Sequence, residues 1–394
     1  MPDNVVVTGI GVYSPVGCGE GAFWQALCDG RSGAAPIDNL DTSQVSRKIA
    51  CRVTAPLPDT PAVGRASRLA AAAAKDAVES AKLAPAEMSE LRISTIVGTT
   101  MGETDFIEDR LSAPPQDWLS PAHAKEITLG RPGCISSRVC SSLGVAGSAV
   151  DLYGACAAGN MAIASARQQL LDGRCDVAIA GGADGFSRLA FIGFMRLRVM
   201  AAEVCRPFDE RRDGLLVGEG GVMFILERDS SARARGAAIR ARVLGAAIAG
   251  ESYHPTRPHP QGEGLGRATM EALSQAGLAP RDVDYVCAHG TGTPQNDAIE
   301  VAMMDRLFPQ GVAFSSIKAL TGHTMGAAAA VEAAACILML EHQTLIPTWH
   351  LDKVLSPCSQ DAIRGEPRSA RVRAVVNNSA GFGGYNSSIV LAAA

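Results

Sequence analysis

The sequence predicts an α/β fold built from two related halves, and three observations point to it. Short apolar or β-branched runs end in glycine, as in VVVTGIG, VAIAGGADG and NNSAGFGG, where strand-to-helix turns need a permissive backbone. Helical patterns lie between several of these runs, and the whole series then recurs along the chain. A 47% hydrophobic content over 394 residues, with 41 glycines, supports large buried cores and room for two or more domain-sized units.

The elements follow in order. Glycine-bounded apolar runs at 4–10, 93–98, 148–153, 176–181 and 221–227 read as strands, with helical periodicity at Arg65–Ala81 and Met161–Leu171 between them. A second series of strands is predicted at 240–248, 284–288, 312–316, 372–377 and 386–392, with helices at 295–308 and 326–341. The repeat is sharpest where GACAAGNMAIASA, DVAIAGGADG and GVMFILE stand against TGHTMGAAAAVEAA, VRAVVNNSAGFGG and SSIVLA. That alignment places Cys156 and His323 at equivalent positions near a shared central face. The polar stretch Asp229–Gly236 divides the halves, residues 1–235 and 236–394, and the lack of a low-complexity linker predicts one fused body.

Composition narrows the function. Thirty-six basic against 40 acidic residues leave a net charge of −4 with no long run of either sign, which disfavours nucleic acid or a membrane surface as partner. The N-terminus, MPDNVVVTGIGV, has no basic n-region and reads as a first strand, not an export signal. The longest apolar stretch, Gly326–Leu340, is mostly alanine and carries Glu332, which predicts a helix buried in protein and no membrane span. Eleven cysteines without CxxC spacing indicate neither a disulfide framework nor a zinc site, and a reducing cytoplasm fits best.

Three residues stand out chemically. Cys156, in GACAAGN, opens a helix, where free backbone N–H groups and the helix dipole are expected to lower a thiol's pKa; the alternative is an inert core cysteine. His289, in CAHGTGTPQND, ends a strand beside two glycines, a place where a loop delivers a titratable ring. Thr291 and Thr293 either cap the next helix or bind a substrate amide. His323, in SSIKALTGHTMGAAAAVE, stands near Lys318 and Glu332, charges too costly in apolar surroundings unless paired with each other. No metal-ligand spacing accompanies the histidines. In NNSAGFGGYN, the turn around Phe382 is a plain hairpin or a source of backbone donors for an oxyanion hole.

Taken in order, GACAAG, CRPFDERRDGLLVGEGG, AHGTGTPQND, SSIKALTGHTMGAAAAVE and NNSAGFGGYN resemble the β-ketoacyl-acyl carrier protein synthase family of the thiolase-like superfamily, of the synthase II or type II polyketide and polyene kind, over essentially the whole chain. The resemblance implies an α/β, thiolase-like, duplicated αβαβα five-layered fold and an acyltransferase that performs decarboxylative Claisen condensation. Cys156 would carry the acyl group, while His289 and His323 would promote decarboxylation of a malonyl thioester and stabilise the enolate. It further implies that backbone N–H groups of Cys156 and Phe382 form the oxyanion hole, with Phe382 as a gate. Lys318, paired with Glu332, would order His323; Thr291 and Thr293 would hold the phosphopantetheine arm, and Met101 would line the acyl pocket. No bound cofactor is implied, since substrates ride on the phosphopantetheine of acyl carrier protein. The partners implied are that carrier and either a second copy of the chain or a related ketosynthase or chain-length-factor subunit. Four positions depart from the family pattern: Gly154 and Ala158 for hydroxyl residues, Ala380 for phenylalanine, and Asn296 for glycine.

Other readings remain at this stage. The order Cys156, His289, Asn378 matches that of papain-like proteases, although the signature around such a cysteine is absent. A thiolase would carry a second cysteine where this chain reads SAGFGG, and a non-catalytic chain-length factor would lack Cys156.

Overall fold

A computed structural model describes residues 4–57, 63–111, 120 and 133–394. The first half contributes strands β1 (Val5–Ser14), β2 (Ile93–Thr99), β3 (Gly147–Tyr153), β4 (Val177–Asp184) and β5 (Gly220–Arg228). The second contributes β6 (Ala241–Gly250), β7 (Tyr285–Cys287), β8 (Ala313–Ser315), β9 (Ala374–Gly381) and β10 (Tyr385–Ala393). Their helices are α1 (Arg65–Ser80), α2 (Cys134–Leu143), α3 (Ala158–Leu171), α4 (Arg188–Arg196), α5 (Glu263–Ala276), α6 (Pro294–Leu307) and α7 (Ala328–His342).

The duplication is exact in topology. The first half runs β1-β5-β4-β2-β3 across its sheet and the second runs β6-β10-β9-β7-β8, so each follows the order first, last, fourth, second, third. In each half the first, last and fourth strands pair antiparallel, and the inner β2 and β7 pair parallel with both neighbours. A short antiparallel contact, Val5–Val7 against Ala241–Val243, joins the two sheets into one body.

Helices α1 and α2 cover the outer face of the first sheet and α5 with α6 that of the second, while α3 and α7 lie between the sheets and touch both. These are the five αβαβα layers the resemblance implies. Alanine dominates α7 because a helix wedged between two sheets and another helix has no solvent face, and larger side chains would overpack it. A Cβ on Gly159 would lie 2.7 Å from the Ala330 nitrogen, so the two central helices meet at backbone distance. Among the described residues one helix, Met325–His342, is long and apolar enough to cross a membrane, and it is buried inside the protein.

Several expectations shift on contact with the fold. Strand β1 continues past residue 10 to Ser14, and β9 spans 374–381 where 372–377 was expected, because each stays paired with its antiparallel neighbour beyond the apolar run. Between the halves, the polar stretch from Asp229 forms a short helix to Ala234, and ion pairs Arg235–Glu227 (2.6 Å) and Arg242–Asp229 (2.8 Å) tie it down.

The equivalence of Cys156 and His323 does not hold in register. Each central helix is preceded by a single 3₁₀ turn, Ala155–Ala157 before α3 and Met325–Ala327 before α7, and each turn opens on a non-glycine residue with positive φ, Ala155 at 48° and Met325 at 58°. Cys156 therefore matches Gly326, and His323 sits on the bend before it. Periodicity alone could not show this, because the 3₁₀ turn and the bend share the same small-residue composition.

Candidate active site

The strand ends of both halves deliver Cys156, His289 and His323 to one cavity of about 390 Å³, which Thr291, Thr293, Phe382 and Phe194 also line. Eight of the eleven cysteines are buried, so burial does not distinguish Cys156; its place on the tight turn before α3 does.

His289 is held by its backbone. Its N–H donates to Glu300 Oε1 at 2.6 Å and the next N–H, of Gly290, to Glu300 Oε2 at 2.8 Å. Asp297, one turn earlier on α6, accepts from Gly292 N–H at 3.2 Å and Phe208 N–H at 2.7 Å. Both carboxyls are fully enclosed, and burial pushes Glu300 up to about 7 and Asp297 up to about 6.

His323 is clamped from the other half of the chain. Its N–H donates to the Leu216 carbonyl at 2.7 Å and its carbonyl accepts from Gly218 N–H at 2.8 Å, so the segment GLLVGEGG runs alongside it like a strand. The Met325 N–H donates to His323 Nδ1 at 3.2 Å. An Nδ1 that accepts leaves the proton of a neutral ring on Nε2.

The same holds for His289. Lys318 Nζ lies 3.4 Å from its Nδ1 and donates to its carbonyl at 2.6 Å, and it also pairs with Glu332. An ammonium has only donors, so His289 Nδ1 accepts and Nε2 carries the proton. Ser379 Oγ is also 3.4 Å from this Nδ1, but its hydrogen goes to the Cys156 carbonyl at 2.8 Å. Burial first, then the Lys318 charge, hold both imidazoles well below the usual histidine pKa, and the neighbouring His323 lowers His289 further. The rings stand 5.5 Å apart, nearly perpendicular. The cavity thus receives two neutral N–H donors.

Lys318 acts on His323 through its charge, and its direct contacts are made elsewhere. Its contacts are to His289 and Glu332, whereas His323 takes its orientation from the Met325 backbone. Lysine and glutamate are each only 1% exposed. Burial pushes the Glu332 carboxyl up against the opposing pull of the lysine.

The thiol also departs from expectation. Burial pushes Cys156 up to about 12, and Lys318 together with the backbone N–H groups of Phe382 and Cys156 offset this only in part. A helix start lowers a thiol's pKa when water can still reach the sulfur; here enclosure wins. The thiol therefore rests neutral, with its sulfur beside two backbone donors.

Thr293 occupies the N-cap of α6 without a side-chain capping bond, and its Oγ1 instead meets Thr291 Oγ1 at 2.8 Å, so the pair faces the cavity with hydroxyls to spare. Phe382 begins the Phe382–Gly384 turn, where Gly383 N–H donates to the Pro255 carbonyl at 2.7 Å. Met101 does not line the cavity: its N–H donates to Asp184 Oδ1 at 2.9 Å, and Asp184 also binds Thr99, Thr100 and Gly326, which pulls the Met101 turn against the start of α7. Asn378, required by the protease reading, accepts from Thr269 Oγ1 at 3.1 Å, and among the described residues it forms no hydrogen bond with His289.

Four contributors had no sequence signal strong enough to single them out. Glu300 and Asp297 look like ordinary acids of a helix's first turns, Ser379 like a strand residue, and Phe194 like core. Phe194 stands 5.7 Å from Phe382 and 6.4 Å from His323 and closes one wall of the cavity.

The chain matches the family models for β-ketoacyl synthase, N-terminal domain, over residues 2–232 and β-ketoacyl synthase, C-terminal domain, over residues 240–352. It is 32% identical to a 3-oxoacyl-[acyl-carrier-protein] synthase 2 of Coxiella burnetii, covering 98% of each. It is 33% identical to the tetracenomycin polyketide synthase ketoacyl synthase alpha subunit of Streptomyces glaucescens, over 99% of this chain and 97% of that one. Among solved structures, the ishigamide ketosynthase/chain length factor superposes with a TM-score of 0.95 at 35% identity over the full length of both.

Proposed function

The chain belongs to the β-ketoacyl synthase family, and from that membership we propose how its residues carry out the condensation of an acyl thioester with a malonyl thioester borne on acyl carrier protein. The observation that carries the reading is the pair of imidazoles whose Nδ1 atoms are both engaged as acceptors, leaving two neutral Nε2–H donors in the cavity that holds Cys156.

In the first half-reaction Cys156 Sγ attacks the acyl thioester carbonyl. The negative oxygen of the tetrahedral intermediate is met by the Cys156 and Phe382 N–H groups; the pantetheine thiolate leaves and takes up the thiol proton. In the second, the malonyl thioester binds with its carbonyl oxygen toward His289 and His323. The C–C bond to the carboxylate breaks, carbon dioxide departs, and the electron pair becomes an enolate whose oxygen the two Nε2–H groups stabilise. The enolate carbon attacks the acyl-cysteine carbonyl, and collapse expels the Cys156 thiolate, which takes up a proton from solvent, its own having left with the pantetheine thiol. Neutral donors suit this chemistry, since a protonated imidazole would surrender its proton to the enolate carbon and quench it.

Lys318 acts as a positioning residue that fixes the His289 tautomer, and Thr291 with Thr293 hold the amide of the pantetheine arm. Chain building of the specialised polyketide or polyene kind, with a second synthase-fold subunit, is favoured over routine fatty-acid elongation by the full-length match to the ishigamide ketosynthase/chain length factor and by the departures at Gly154, Ala158 and Ala380. The setting is the cytoplasm. The test is intact-mass analysis with acyl- and malonyl-carrier proteins: an acyl adduct on the chain, absent in Cys156→Ala, with carbon dioxide release that depends on His289 and His323. No adduct from any acyl length would end this reading.

A further inference from the structure

Asn296 lies half-buried in the first turn of α6, at the wall of the catalytic cavity, beside the two acids that hold the His289 bend. Its Nδ2 group donates to Asp297 Oδ1 at 3.2 Å and to Glu300 Oε2 at 3.4 Å. Both partners are carboxyls, so the amide turns its nitrogen to them, and its two hydrogens serve one acid each. Those acids in turn receive four backbone N–H groups, His289 and Gly290 on Glu300, Gly292 and Phe208 on Asp297. One side-chain amide thus cross-links the frame that fixes the backbone from His289 to Gly292. Asparagine stands here where the sequence departs from the family's usual glycine, so the cross-link belongs to this chain.

The frame holds its shape only with charged acids. A carboxylate accepts at both oxygens, whereas a protonated carboxyl carries an O–H that needs an acceptor, and the backbone groups turned toward Glu300 are N–H donors. Protonation sets an O–H against one of those donors and loosens the backbone that aims the His289 ring. Charge is costly to keep at this place. Glu300 and Asp297 sit three residues apart on one helix, both enclosed, and repel each other, so the pair takes up protons as a unit. From neighbouring elements, Lys318 faces Glu300 but is shared with Glu332, Arg212 Nε stands 4.0 Å from Asp297 Oδ2, and the Cys205 thiol lies beside Asp297. With countercharge this sparse, hydrogen-bond donors decide whether both acids stay ionised, and the donor side chain in the frame is Asn296.

We propose that Asn296 is a positioning residue for the condensation: through its bonds to Asp297 and Glu300 it braces the His289 bend and sets the pH range over which His289 is correctly aimed. The inference rests on the synthase reading above. Removing the amide favours proton uptake by the acid pair, so its effect falls on the acid side of the activity profile.

The test measures carbon dioxide release from malonyl-carrier protein against pH for the parent, Asn296→Ala and Asn296→Asp, using the full chain with any subunit that co-purifies. In Asn296→Ala the loss in kcat should grow about tenfold from about pH 9 to about pH 6.5 with KM unchanged, the effect of one missing hydrogen bond to a charged group. Asn296→Asp keeps the size of the side chain, replaces donors with a third carboxyl, and should steepen the same trend. Glu300→Gln has no charge to keep, so adding Asn296→Ala to it should bring no further pH-dependent loss. A loss of equal size at every pH would make Asn296 a structural contact only, and a raised KM with kcat intact would make it a contact to the substrate arm. Either result overturns the proposal and leaves the synthase reading standing. No carbon dioxide from the parent at any pH would overturn both.

Discussion

Replacing Lys318 with methionine separates its two roles. The ammonium has three partners, Glu332, the His289 carbonyl and His289 Nδ1, all enclosed with it. Lys318→Met leaves Glu332 as an unpaired buried carboxylate, a loss of about 3 to 5 kcal/mol of stability near pH 8. Without the lysine's downward pull, burial alone acts on that carboxyl, and its folded pKa stands well above the 4.5 of an ordinary glutamate. A raised folded pKa means the native state binds the extra proton, so stability is present in acid and drains away as pH rises through the folded value. The variant should therefore be less impaired at pH 5 than at pH 8 in urea melts. Adding Glu332→Leu removes the stranded charge and should restore stability to within about 1 kcal/mol of the parent. Catalysis should not return, because His289 is then free to move its proton to Nδ1 and present a bare Nε2; losing one such donor costs about 10²- to 10³-fold, read as carbon dioxide release from malonyl-carrier protein. A double variant that recovers decarboxylation along with stability would refute the tautomer argument and reduce Lys318 to a counter-ion.

Further outcomes follow from the same geometry. Alkylation of Cys156 by iodoacetamide should speed up about tenfold per pH unit through pH 9 with no plateau, since burial pushes the thiol up to about 12; a plateau near pH 7 would mean a depressed pKa. Because burial also pushes Glu300 up from 4.5 to about 7, the native state holds a proton that the unfolded chain sheds, and stability should fall by on the order of 3 kcal/mol from this group between pH 4.5 and 7; Glu300→Gln should flatten that part of the pH profile. Gly384→Ala puts a Cβ 1.8 Å from the Glu251 carbonyl oxygen at a residue with φ 79°, and it should cost about 1 to 3 kcal/mol from backbone strain alone and slow Cys156 acylation through the displaced Phe382 N–H; an unchanged Tm would contradict it. Gly154→Ser, which restores the hydroxyl usual in the family, brings its Cβ 2.2 Å from Met161 Sδ, the flexible end of a half-buried side chain that can turn away, and should cost less than about 1 kcal/mol; a larger loss in urea melts would mean that Met161 is held in place.

Much of the fold was legible because its causes are local. Apolar runs, many ended by glycine, and helical periods marked the ten strands of the duplicated order and the helices at 65–81, 161–171, 295–308 and 326–341 to within a few residues at most ends, and the recurrence of those runs showed the duplication. What periodicity missed was the 3₁₀ turn before each central helix. Ala155 and Met325 take left-handed backbone that neither residue type prefers, so nothing in GAC or HTM announces it. That one turn is why Cys156 pairs in register with Gly326 and His323 does not.

The sequence by itself determined which chemical groups are present and in what order: a thiol at a strand-to-helix turn, two imidazoles on glycine-rich bends, a lysine and a glutamate in alanine surroundings. Tertiary structure alone decided what those groups are. Lys318 meets His289 across 29 residues, Ser379 reaches the Cys156 carbonyl across 223, and the enclosure that raises the thiol and keeps both imidazoles neutral is assembled from both halves. Protonation state, tautomer and donor direction depend on distance and on exclusion of water, and both are properties of the space between segments, which no local stretch of sequence contains.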